Sequence, residues 1–136
     1  QSLLNAAIRL QQDYDVFILG AVLKDSLFAF DEKNAWLDKH FPITKDHRIF
    51  VNEGQPKNEG LPGGIMANDI LVDDYSVNLF QWAQYGRGIK ALNGINGTKG
   101  TWRGPAVRTD WPAELIAATI ITTAKNENLL QEGVTY

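Results

Sequence analysis

Asp69-Ile70-Leu71-Val72-Asp73-Asp74-Tyr75 is the stretch that decides the fold class of this chain. Three apolar residues run straight into two adjacent carboxylates. A short apolar run of this kind suits a strand buried on both faces of a parallel sheet. Acids at the carboxyl end of such a strand stand where open α/β sheets bind their ligands. Neighbouring carboxylates repel each other, so a cation should neutralise them, and oxygen-only ligands suit Mg2+. The alternative reading is a solvated turn in which one acid caps the following helix.

Outward from that strand, helical and strand patterns alternate. Leu3, Leu4, Ala7, Ile8 and Leu10 recur at helical spacing, so Ser2 to about Gln12 reads as an amphipathic helix. Asp13-Tyr14-Asp15 breaks it, and Val16 to Gly20 reads as a strand. A helix is expected from about Leu27 to His40, capped by Asp25 or Ser26, with Phe28, Ala35, Trp36 and Leu37 offered to the core. Arg48 to Val51 is a second strand, and the Gly- and Pro-rich stretch Asn52 to Met66 is a loop. Ile70 to Val72 is the third strand, Val77 to Tyr85 a short helix and Gly88 to Leu92 a fourth strand. Asn93 to Val107 reads as a long polar loop, and Pro112 opens a last helix that runs to about Lys125. The alternation predicts a single α/β domain over 1–136, Rossmann-like and in three layers, with a mostly parallel sheet and right-handed crossovers.

Composition narrows the function. With 136 residues, 44% of them hydrophobic and 21% charged, the chain can bury a real core. A net charge of −3 without a basic run argues against a nucleic-acid partner. No stretch approaches the ~20 apolar residues of a membrane span. The absence of cysteine removes thiolate chemistry and fits a cytoplasmic location. The first residue is Gln1 and not Met, which suggests a processed product or a fragment. His40 and His47 alone do not make a zinc set, and His40 reads as a favourable charge at a helix C-terminus. The glycines of Gly60-Leu61-Pro62-Gly63-Gly64 and of Gly94 to Gly104 lack the spacing of a phosphate-binding loop and read as turns. Trp36 and Trp82 lie at apolar helical positions, whereas Trp102, in the polar loop between Lys99 and Arg103, could stack on a ligand base beside two phosphate-seeking cations.

The order of these elements, with Glu32 to Leu37 in the first crossover helix, Pro56-Lys57 after the second strand, Asp73-Asp74 and then Gly88 to Gly94, resembles the haloacid-dehalogenase superfamily. Within it, the chain looks most like the small 5′-nucleotidase-like phosphatases of bacteria and phages, over roughly residues 3 to 123. The resemblance implies a Mg2+-dependent phosphomonoesterase acting on a phosphorylated small molecule such as a nucleotide. It makes Lys57 the cation that neutralises the phosphoryl oxygens and Asp73 and Asp74 the metal ligands. Gly20, followed by Ala21, falls where the family carries a phosphate-holding Ser or Thr, and Ser26 is too distant to replace it.

The family's nucleophile, an Asp of an Asp-x-Asp pair after the central first strand, has no counterpart here. Asp13 and Asp15 have the spacing but precede a strand. The resemblance therefore implies a chain inactive alone, whose sheet lacks its first strand between those at 16–19 and 70–73. An N-terminal fragment or a second copy would complete it. A non-catalytic module of the same fold, serving binding or assembly, is the alternative.

Overall fold

The computed structural model describes residues 1–23, 28–94 and 102–125. Along the chain they form α1 (Ser2–Leu10), β1 (Ile18–Val22), α2 (Ala29–His40), β2 (Arg48–Asn52), β3 (Ile70–Asp73), α3 (Ser76–Trp82), β4 (Arg87–Leu92), β5 (Ala106–Arg108) and α4 (Ala113–Lys125). Single 3-10 turns occupy Lys45–His47 and Lys57–Gly60. The class is α/β, and every strand pairing is parallel.

The strands do not form one continuous sheet. β1 pairs with β2, from Ile18 opposite Arg48 to Val22 opposite Asn52. β3, β4 and β5 form a separate sheet in that order, with Asp73 opposite Lys90 and Lys90 opposite Ala106. No ladder joins β1 to β3 among the described residues. The strand β5 falls inside the stretch expected to be loop; three residues following Gly104-Pro105 are too few for a periodicity signal.

Strand periodicity distributes the apolar residues of the larger sheet. Ile70, Val72, Ile89 and Val107 pack with Ala6 and Leu10 of α1 and with Ile116 and Ala117 of α4. Leu71 points the other way, into a cluster with Leu79 and Trp82 of α3 and with Trp102. β4 is buried from Arg87 to Ala91, as a strand with helices over both faces must be.

The smaller sheet is less well covered. Phe41, Leu37 and Ile43 pack with Ile18 and Phe50, and with Leu4 and Ala7 of α1. Every residue of β1 is only partly buried. A two-stranded sheet offers α2 a narrow seat, and Leu37 is the one buried residue of that helix. This corrects the expectation for Phe28 and Trp36, which stand 68% and 49% exposed, in contrast to Trp82 at 4%. Trp36 rests its ring on His40, 4.6 Å between centroids.

These differences in coverage predict unequal opening. In native-state hydrogen exchange, amides of Gly88 to Ala91 should be the last to exchange, and those of Ile18 to Val22 should exchange far sooner. Equal protection of the two strands would show that β1 is enclosed after all.

Candidate functional site

The candidate site lies at the carboxyl end of β3. Asp73 is the last residue of the strand and is 8% exposed. Its Oδ1 accepts the Tyr75 backbone N–H at 2.9 Å, a local turn that frees the chain to enter α3. Its Oδ2 accepts from Asn78 Nδ2 at 3.2 Å and from Lys57 Nζ at 2.6 Å. The carboxylate is buried and does not cap α3, whose N-cap is Tyr75 without a side-chain cap bond, so the solvated-turn reading does not describe it.

Lys57 reaches Asp73 from the other sheet. It opens the 3-10 turn that follows β2, and its side chain is 14% exposed. The turn lies close against the small sheet at Gly60, where an added Cβ would come within 2.5 Å of Val51 and 3.1 Å of Ile49. Only a residue without a side chain permits that approach. The ion pair therefore ties the carboxyl side of β2 to the carboxyl end of β3.

Asp74 follows Asp73 toward solvent. Partial burial of its carboxyl, and then the neighbouring Asp73, hold its pKa above the ordinary aspartate value, while Lys57 acts in the opposite sense. Among the described residues no group of three or more His, Asp or Glu side chains gathers as a metal cluster. The donor set is the oxygens of the two carboxylates, since the Asn78 amide turns its Nδ2 toward Asp73. Mg2+ is commonly held by one or two carboxylates with water completing its shell, so the residues fit that ion in kind.

The other expected site residues are dispersed. Gly20 and Ala21 sit on β1, opposite Phe50 and Val51. Gly20 accommodates the Phe50 ring, which an added Cβ would approach to 3.2 Å. Trp102 is 7% exposed, lies against Gly88 and Gly104, and donates from Nε1 to the Pro105 carbonyl at 3.0 Å, which places it in the core and not at a ligand surface. Arg103 beside it is exposed. Lys99 and Ser26 lie outside the described residues. Asp15, at the amino end of β1, accepts from His47 Nε2 at 2.6 Å. The His47 ring also stacks on Phe17 at 4.3 Å, and Asp15 followed by Asp46 raises its pKa.

Two functional-looking residues escaped the sequence reading. Asn78 was one, and its signal was a polar residue one helical turn after the acid pair. Lys90 was the other: it interrupts the apolar run Gly88-Ile89-Lys90-Ala91-Leu92 and is 5% exposed in the centre of the sheet. No protein-family model matches the chain, and no curated protein or solved structure was found similar to it.

Two substitutions test this electrostatic arrangement in urea unfolding. Lys57→Met leaves Asp73 buried with its hydrogen bonds but without its counter-charge, and should lower stability by about 3 kcal/mol. Asp74→Asn should raise the melting temperature at pH 7. An aspartate with a raised folded-state pKa opposes folding when ionised, and that opposition disappears once the group is protonated in both states. The gain from Asp74→Asn should therefore shrink as pH falls and vanish below the ordinary aspartate pKa of 3.8. A gain that grows with acidity would contradict the assignment.

Proposed function

We propose that this chain is the metal- and phosphoryl-binding part of a cytoplasmic, Mg2+-dependent phosphomonoesterase of the haloacid-dehalogenase type, with a nucleotide-like substrate. The observation that carries the reading is the Lys57–Asp73 ion pair. It sets a cation and an acid pair together at the carboxyl end of a parallel strand, at the break between two parallel sheets. In this reading Asp73 and Asp74 hold Mg2+, which supplies charge neutralisation at the phosphoryl group. Lys57 turns from Asp73 toward the phosphoryl oxygens. The layout is a three-layer, Rossmann-like domain in which the break is the seat of one further strand.

That strand brings the attacking carboxylate. Its source is an N-terminal fragment or a second copy of the chain, and it lies between β1 and β3. Adjacent strands sit about 4.8 Å apart, so one strand inserted there would pair with both inner edges. Each buried N–H or C=O left unpaired costs about 1–3 kcal/mol, which favours filling the break. Asp13 and Asp15 do not stand in for the nucleophile, because they precede β1 and Asp15 is engaged with His47.

The second reading is a non-catalytic module of the same fold that binds a phosphorylated ligand or serves assembly. Gly20 favours it, since no hydroxyl stands at that position of β1.

Assay and calorimetry separate the two. The chain alone should not hydrolyse nucleoside monophosphates. Joining an apolar strand that ends in Asp-x-Asp ahead of Gln1 should confer Mg2+-dependent hydrolysis that the first Asp of the pair is required for. Robust turnover by the unextended chain, lost on mutating one of its own aspartates, would show that the nucleophile is already present. Calorimetry without Mg2+ binding at millimolar levels, unchanged by Asp73→Asn, would refute the metal site. Failure of the extended chain to turn over, with Mg2+ still bound, would favour the non-catalytic module.

A further inference from the structure

Lys90 is the residue of this molecule whose position is hardest to explain by packing. It lies in the middle strand of the larger sheet with 5% of its surface exposed. A buried ammonium is costly unless it is paired. The other buried cation at this sheet, Arg87, donates to the Thr123 and Ala124 carbonyls and to Asn68. Lys57 has Asp73. Among the described residues the hydrogen-bond partner of Lys90 Nζ is a neutral hydroxyl, Ser76 Oγ at 2.8 Å.

Asp73 is the register neighbour of Lys90. Both turn to the face covered by α3, since Leu71 and Gly88, two positions earlier on each strand, meet Leu79 there. Yet the Asp73 oxygens accept from Tyr75, Asn78 and Lys57. The Lys90 ammonium keeps two N–H groups beyond its bond to Ser76. Ser76 accepts that bond with its oxygen, which leaves its own proton to be donated onward. Ser76 is partly exposed, at the start of α3.

We propose that Lys90 and Ser76 form an anion subsite beside Asp73 that takes an oxygen of a phosphate dianion, free or as a monoester. The inference deepens the reading of Asp73 and Asp74 as metal ligands and rests on it. The four charged side chains explain why a dianion is favoured. Among the described residues Lys57 and Lys90 set two positive charges against the two negative charges of Asp73 and Asp74, so these four groups balance. A divalent cation alone would leave them at two positive charges, and a phosphate dianion alone at two negative. The two together restore neutrality, so each strengthens the other's binding by the same factor.

The test is calorimetry with inorganic phosphate, with and without millimolar Mg2+, on the wild-type chain, Lys90→Met and Ser76→Ala. Methionine fills a similar volume, and exchanging a buried charge for an apolar residue is often tolerated by the fold. Phosphate affinity with Mg2+ should fall at least about ten-fold in Lys90→Met and a few-fold in Ser76→Ala. Mg2+ affinity without phosphate should rise in Lys90→Met, because one positive charge has gone. A nucleoside monophosphate should show the same losses if the subsite takes the phosphoryl group of a monoester. Unchanged phosphate affinity in Lys90→Met would overturn the proposal, as would a wild-type chain that binds no phosphate with Mg2+. A large loss of folding stability in Lys90→Met with ligand affinities intact would make Lys90 a structural counter-charge and also overturn it. Absence of Mg2+ binding would defeat the metal reading instead. Phosphate binding that Lys90→Met still weakened in that case would leave the subsite standing.

Discussion

The Asp73 carboxylate is the point on which the rest of the structure depends. One oxygen closes the turn into α3, and the other receives Asn78 and Lys57. Because Lys57 belongs to the segment after β2, this single group joins two sheets that share no ladder among the described residues. A buried ion pair of this sort contributes little net stability over an apolar pair of the same shape, since desolvation offsets attraction. What it contributes is alignment: it fixes which end of one sheet faces which end of the other. The bond is directional, and apolar contacts alone would tolerate sliding.

Apolar packing supplies the remaining connection: Leu19 of β1 packs with the Leu71 and Leu79 cluster on one face, and α1 bridges the cores on the other. Ala6 and Leu10 of that helix enter the core under the larger sheet, and its Leu4 and Ala7 lie against the core under the smaller one. Val16, just before β1, touches both clusters. The nine-residue helix thus spans the break on one face while the Lys57 segment spans it at the carboxyl end. Between them β1 has no second partner strand among the described residues and remains half-buried along its length. An apolar strand edge in that condition invites pairing with another strand.

The sequence made some of this legible for identifiable reasons. Ile70 to Val72 followed by two acids located β3 and the site because a buried parallel strand leaves a continuous apolar run that ends abruptly in charge. Helix α1 was readable from its apolar spacing, which the structure uses on two clusters at once. Trp36 misled because an aromatic on a helix signals burial only where a sheet is wide enough to receive it, and β1–β2 is not. Trp102 misled in the opposite sense: a polar, Gly-rich neighbourhood hid the fact that Gly88 and Gly104 are the two surfaces its ring lies on. The separation of the strands into two sheets could not be read at all, because pairing partners are a matter of three-dimensional register and leave no local pattern.

Charge balance changes what an acid pair can be taken to mean. Adjacent aspartates at a strand end suggested a missing cation, yet the fold itself brings one lysine into contact with Asp73 and buries another on the neighbouring strand. The pair is therefore not a sink waiting for any divalent ion. A metal that enters must compete with Lys57 for Asp73 Oδ2, and it meets in Asp74 a carboxyl that partial burial makes less ready to ionise than an ordinary aspartate. Both features weaken the binding of a bare cation. The competition with Lys57 is relieved when an anion arrives, because Lys57 then has somewhere else to turn. In the reading proposed here, such a site would favour the cation and the anion together, which is what separates a phosphoryl-handling site from a simple divalent-ion trap.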